Sequence, residues 1–311
     1  MSTNASKQSP FAWSLLLVFL GTAIHLVMGF STELSVDEAH YALYANHLAW
    51  SYFDHPPLVG WIQWPLVAIN APDGILRLIP ITLWIISCFL VYHIADQLDE
   101  YCTQRSLFIK APTPNNPSYA GLAAVAMIVF APLPHVLAVG LVPDSLLTPL
   151  SLGILWMSLQ WLKQDGQLSF NQWIGLGLLF GLAGLSKYTA ILYALAFAIA
   201  CLSVPRFAFL KQSGFYSAIA IALLLISPVL LWNAQYDWIS FKYQIDHGSG
   251  GDWLWRRLAA FLGLQIVVFG FLPLLGLWAY SRMVGFTKRP FVSILLVFFI
   301  LPFSVFAALS G

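Results

Sequence analysis

Between residues 31 and 74 the chain gathers side chains able to take a proton and to hold an anion. The segment reads Asp37-Glu38-Ala39-His40-Tyr41, with Tyr44 and His47 following, then Tyr52-Phe53-Asp54-His55-Pro56-Pro57-Leu58. Ser35 followed by Glu38 three residues on is the pattern of a capping box, so 36–50 is predicted as a helix. Asp37, His40, Tyr41 and Tyr44 then share one face at i, i+3, i+4 and i+7 spacing. Pro56-Pro57 ends the regular structure and holds His55 extended. Three readings fit these residues. The helix is simply amphipathic, with Asp37 and Glu38 favoured by the N-terminal dipole. Or Asp37, His40, His47, Asp54 and His55 ligate a metal, although no HxxxH or HExxH spacing supports it. Or a carboxylate acts as general base beside a cation that holds a phosphate.

The elements that position this segment are membrane spans. Of 311 residues 59% are hydrophobic and only 9% charged, against about 25% charged in a soluble protein. That excludes a soluble single domain, a nucleic-acid binder with a basic face, and a disordered chain. Apolar stretches fall at 11–30, 75–95, 119–132, 145–162, 173–185, 188–204, 215–232, 258–280 and 291–309. Each is near the ~20 residues a helix needs to cross a bilayer. The expected fold is therefore all-α, a polytopic membrane protein of about nine transmembrane helices, with amphipathic helices in the first external loop. Gly184, Ser186 and Lys187 mark a tight reversal between the fifth and sixth spans. The whole of 1–311 reads as one transmembrane domain, with 31–74 and 233–257 as its external loops.

With the N-terminus inside, nine of 14 basic residues fall on the cytoplasmic side and nine of 13 acids on the external side. Five of seven histidines, His40, His47, His55, His135 and His247, are assigned there too. The external face is thus the expected working face. Cys88 and Cys201 lie in spans and Cys102 in a cytoplasmic loop, so no external disulfide is expected. His25 and His93 read as packing residues within spans. Asp73 and Arg77 flank the second span and are expected to pair.

The two ordered motifs Asp37-Glu38-Ala39-His40-Tyr41 and Tyr52-Phe53-Asp54-His55-Pro56-Pro57-Leu58 resemble the first-loop signature of polyprenyl-phosphate-sugar-dependent glycosyltransferases. These are the protein O-mannosyltransferases of glycosyltransferase family 39 and the related lipid A aminoarabinose transferases. Pro143-Asp144, Gly184-Leu185-Ser186-Lys187-Tyr188, Trp232-Asn233 and Asp237-Trp238 extend the resemblance to about residue 250. It implies a GT-C fold, a polyprenyl-phosphate sugar donor, a lipid, glycan or protein acceptor, and inversion at the sugar. It also implies a bacterial inner membrane, with the N-terminus cytoplasmic and the active site on the periplasmic side. No cofactor is expected and no metal site is assigned, with a divalent ion left open.

In that reading Asp37 is the catalytic carboxylate and Glu38 acts with it. His55, where aminoarabinose transferases have a lysine, contacts the donor phosphate, with Lys187, Arg256 and Arg257 as further phosphate-binding candidates. His40, Tyr41, Asp54, Asp144 and His247 are candidate substrate-binding residues. Each has a plainer alternative: Glu38 as a cap, Asp144 as a dipole partner, Lys187 as a snorkelling lysine, Arg256-Arg257 as interfacial anchors. Gly248-Ser249-Gly250-Gly251 after His247 reads as a flexible stretch over the cavity. Relatives usually continue beyond the position of Gly311, so a C-terminally shortened member is expected. Two other functions fit the composition: a flippase for a lipid-linked sugar and an inactive accessory subunit. Against a transporter, the spans are nearly free of ionisable groups.

Overall fold

A computed structural model describes residues 9–104, 118–164, 166–202, 209–249, 253–270 and 290–310, and the side chains of all of these except 102–104, 247–249 and 290–293. Among the described residues the chain is helical with no strand. α1 (Pro10–Ser31) opens on Ser9, whose hydroxyl accepts from the Ala12 amide, with Pro10 in the first turn. The loop after α1 then folds into α2 (Val36–Asn46) and α3 (Leu58–Ala68). α4 (Asp73–Leu76) leads into α5 (Leu78–Gln104), and the two run as one 29-residue apolar stretch to Tyr101. α6 (Ala120–Phe130) and α7 (Pro132–Val139) follow, then α8 (Pro143–Lys163) and α9 (Phe170–Ser186). A 3₁₀ turn at Tyr188–Ala190 precedes α10 (Ile191–Cys201). The chain goes on through α11 (Ser213–Gln235), α12 (Ile239–Ser249), α13 (Trp255–Phe269) and α14 (Pro290–Ser310).

A helix lies at each of the nine apolar stretches, but they differ in reach. Among the described residues four are long and apolar enough to cross a bilayer: α1, α4–α5, α8 and α11. α6 and α7 make a fifth only as a pair bent by 71°. The break follows from Ala131-Pro132, because the residue before a proline is pushed out of the helical region. α9 and α10 are shorter apolar helices meeting at the reversal read from Gly184, Ser186 and Lys187. α3 was expected to be amphipathic, yet Leu58-Val59-Gly60-Trp61-Ile62-Gln63-Trp64 is apolar nearly all round.

The helices meet on small residues. Against α1, a Cβ at Gly21 would lie 2.5 Å from the Trp84 ring of α5. On α9, Gly177, Gly181 and Gly184 line the face that meets Ala218, Leu225 and Ile226 of α11. With no hydrophobic drive between helices in lipid, this close backbone approach supplies the packing. His25, fully buried on α1, meets His135 of α7 at 2.7 Å and stands edge-on to Trp84. His135 Nε2 donates to Val129 O at 2.6 Å, and its Nδ1 shares a hydrogen bond with His25 Nε2. His135, placed with the external histidines by charge sorting, meets His25 and Trp84 through the bend between α6 and α7.

The glycine seam carries a prediction. A methyl at 177 would lie 2.6 Å from Ala218 O, so Gly177→Ala is expected to cost about 1–3 kcal/mol. Gly175 has nothing within 4 Å, and Gly175→Ala should stabilise by about 0.5–1 kcal/mol through helix propensity. Thermal unfolding of the two variants in detergent checks both signs.

Candidate active site

α2 begins as the Ser35–Glu38 pattern predicts. The Ser35 hydroxyl accepts from the Glu38 amide at 3.3 Å, and Glu38 Oε2 accepts from the Ser35 amide at 2.9 Å. The helix ends at Asn46, four residues earlier than expected, because the Tyr52 hydroxyl takes over its last turn. That hydroxyl donates toward Tyr44 O and His47 O and accepts from the Ala49 amide. The Tyr52 ring stacks on Tyr44 at 3.6 Å. At Gly60 a Cβ would stand 2.7 Å from Tyr44 Cβ, so α3 lies flush against α2.

Glu38 differs from the catalytic role expected of it. It is buried, and both oxygens are taken: Oε1 by Arg77 Nε at 2.8 Å, Oε2 by Arg77 Nη2 at 3.0 Å and by Ser35. Burial alone would raise its pKa, but the hydrogen bonds from Arg77 and Ser35 hold it below the ordinary carboxylate value. A carboxylate so held is a poor proton acceptor. Arg77 also donates to Gly29 O, Thr32 O, Thr32 Oγ1 and Glu33 O, closing the end of α1. The expected Asp73–Arg77 pair is thus replaced, because the buried guanidinium turns toward the unsatisfied carbonyls of α1.

Tyr41 gathers the remaining carboxylates. It is buried, and the charges of Asp54, Asp37 and Asp144 all act on it together with the Tyr243 hydroxyl of α12. Burial, reinforced by those charges, pushes its hydroxyl well above the usual tyrosine range, and burial plus Asp54 does the same for Tyr44. Both therefore remain hydrogen-bond donors. Asp54 accepts from Tyr44 through a short bond at Oδ1 and from His40 Nε2 at 3.3 Å at Oδ2. Asp144, in the first turn of α8, takes Lys187 Nζ on both oxygens at 2.8 and 2.7 Å. Asp37 is exposed and has no hydrogen-bond or ion-pair partner among the described residues. His55 lies within electrostatic reach of Asp54, Lys187, Asp144 and His40, with its ring 5.7 Å from Tyr41. Burial pushes its pKa below the ordinary value despite Asp54, and its Nδ1 is buried without a partner among the described residues.

So Asp37, His40, Tyr41, Asp54, His55, Asp144 and Lys187 come together from α2, the 52–57 segment, α8 and α9. Arg256 and Arg257 do not join them in the same way. They open α13, which packs on α7 and α14, beside the exposed pair Trp253 and Trp255 whose rings meet at 4.4 Å. His247 is in helical backbone, in a stretch expected to be flexible, but its side chain lies outside the described residues, as do residues 250–252.

Sequence reasoning missed the residues that hold the site from above. After α11, Asp237 and Trp238 adopt φ of 54° and 58°, and Trp238 N donates to Asn233 O at 2.7 Å. This turn sends α12 back across the loop, where Ser240 Oγ donates to Tyr52 O and Gln244 Nε2 to Asp54 O. Asn233, fully buried, accepts the Ser240 amide. For Arg77 the sequence suggested Asp73 and not Glu38 as partner; a lone arginine at the head of an apolar span is the signal that it must have a buried partner.

Beside this group runs an apolar groove of about 730 Å³ between α9, α10 and α11. Lys187, Tyr188 and Phe241 line one part of it, and Trp173, Phe209 and Phe215 another.

A family model described as dolichyl-phosphate-mannose-protein mannosyltransferase matches residues 54–232. The chain belongs to that family. Among curated proteins it is similar to the lipid A galacturonosyltransferase RgtD of Rhizobium johnstonii, 26% identical over 276 residues. That match covers 86% of this chain and 54% of RgtD, so the chain spans about half the length of the relative. Among solved structures, ArnT from Cupriavidus metallidurans in the apo state matches with a TM-score of 0.57 at 16% identity. It covers 96% of this chain and 59% of ArnT, and it shows the GT-C fold. The match to this mannosyltransferase family begins at Asp54, after Asp37 and Glu38, so those two rest on the geometry above.

Removing the Glu38 carboxylate leaves Arg77 buried without its counter-charge. Glu38→Ala is expected to destabilise the protein by about 3–5 kcal/mol. Thermal unfolding in detergent checks it, with Asp37→Ala, an exposed position, expected to change stability by less than about 0.5 kcal/mol.

Proposed function

We propose that this glycosyltransferase moves a sugar from a polyprenyl-phosphate donor to an acceptor on the external face, with inversion. One observation carries the donor class: a lysine held by a carboxylate lies on the wall of a long apolar groove, next to the first-loop carboxylates. A polyprenyl chain is apolar along its length and ends in one phosphate. It therefore asks for an apolar groove with a cation where the chain ends.

The chemistry follows from which groups are free. Glu38, Asp54 and Asp144 are each committed to partners, and Asp37 is not. Asp37 is the base that takes the proton from the acceptor hydroxyl or amine as it attacks the anomeric carbon. The bond from that carbon to the phosphate oxygen breaks on the opposite face, and the electron pair leaves with the phosphate. Lys187 meets the growing charge, moving between Asp144 and the phosphate. His55 is neutral near pH 7 and supplies an N–H rather than a charge, which provides a partner for its ring nitrogen. Tyr41, kept protonated, donates to sugar oxygens. Lipid A is the acceptor class by similarity to the lipid A galacturonosyltransferase RgtD.

The test is transfer of labelled sugar in membranes, offered on a polyprenyl phosphate or on a nucleotide. Only the lipid-linked label should transfer, and Asp37→Asn should lower kcat about 10²–10⁴-fold. Lys187→Met should lower kcat/KM for the donor about 10²-fold. Transfer from the nucleotide sugar, or an unchanged rate in Asp37→Asn, overturns the reading. pH adds a further check. The phosphodiester stays anionic, and His55 gains its proton only below its ordinary value of 6.5. Donor affinity, measured by equilibrium binding, should therefore strengthen severalfold from about pH 7.5 to about pH 5.5. His55→Asn should flatten that dependence.

A further inference from the structure

We infer that Arg77 is a positioning residue for the reaction, acting on Asp37 through Glu38. The inference rests on Asp37 being the base. Asp37 itself touches nothing that fixes it: it is exposed, in the first turn of an 11-residue helix, just after the 32–35 connection. Its neighbour in sequence is anchored instead. The guanidinium grips both oxygens of Glu38 at 2.8 and 3.0 Å and is 2% exposed. The same group holds Gly29 O at 3.0 Å, Thr32 O at 2.6 Å and Glu33 O at 2.7 Å. One rigid fork thus ties the end of α1, the start of α2 and the entrance of α5 into one unit. A planar fork does this where a lysine, a point charge, does not. Rotation of α2 about its axis, or its sliding along α1, would break several of these bonds at once. The Asp37 backbone is therefore fixed relative to the two spans, while its carboxylate stays free to take a proton. On the far side Gly140 stands against the Glu38 side chain, where an added Cβ would lie 3.8 Å from Glu38 Cγ.

A residue that only holds a base in place should change turnover and leave donor binding alone. A displacement of about 1 Å at a reacting group costs on the order of 10²-fold. Arg77→Lys and Glu38→Gln are therefore expected to lower kcat at least about tenfold, with donor KM and the equilibrium affinity for polyprenyl phosphate within about twofold. Thr32→Val, which removes one acceptor near the surface, should lower kcat severalfold with KM unchanged. It serves if the two buried variants fail to fold, as judged by thermal unfolding. Asp37→Asn is measured beside them. If Asp37→Asn keeps the wild-type rate, the assignment of the base is wrong. If Asp37→Asn is inactive but every folded variant of the clamp keeps kcat, the positioning role alone is overturned. Equal losses in kcat and donor affinity overturn it as well, since they mark a general structural role.

Discussion

Arg77 and Glu38 form the buried ion pair around which the first loop and the ends of its two flanking spans are organised. A charge placed at the membrane edge needs a partner and a full set of hydrogen bonds, and here each side has both. Because the guanidinium also satisfies the last carbonyls of α1, the pair fixes where the first span stops and where the loop helix starts. α3 can then pack flush on α2, and the 52–57 segment falls between α2 and α12. The carboxylates converge on Tyr41 because that framework leaves them few other places.

The second organising feature is the reversal between α9 and α10. Lys187 closes α9 with an extended backbone, and its side chain reaches Asp144 at the entrance of α8. Tyr188, the next residue, bonds Ser51 of the loop and lines the groove. Polar site and apolar groove are thus joined through two adjacent residues, so a ligand that spans both is read by one short turn. The glycine face of α9 draws α11 close and defines one wall of the groove, which couples helix packing to the shape of the site.

Charge placement gave the sequence its most specific signal. The capping box at Ser35, the helix face of Asp37, His40 and Tyr41, and the reversal near Lys187 were legible because each is a local pattern with a local physical cause. For Glu38 the sequence left two readings, a partner of Asp37 and a cap, and could not choose between them. Adjacent carboxylates look alike in sequence, and only the side on which each faces the bundle separates a buried anchor from an exposed carboxylate. The contact of His135 with His25 was not legible, because a bend of 71° inside an apolar stretch redirects the chain without changing its apolar character.

By itself, then, the sequence determined that this is an all-helical membrane protein with a polar, carboxylate-rich loop after its first span. Apolar length and charge scarcity force that result, since a bilayer accepts little else. It also singled out Asp37, the proposed base, and most of the residues that gather near it. Only the tertiary structure decided which acids are committed and which is free, and that Arg77 reaches Glu38 across 39 positions. It alone showed that α12 folds back over the loop, and that an apolar groove lies beside Lys187. These depend on which helix packs against which, and helix packing in lipid is set by small-residue contacts and buried polar partners that no single stretch of sequence contains.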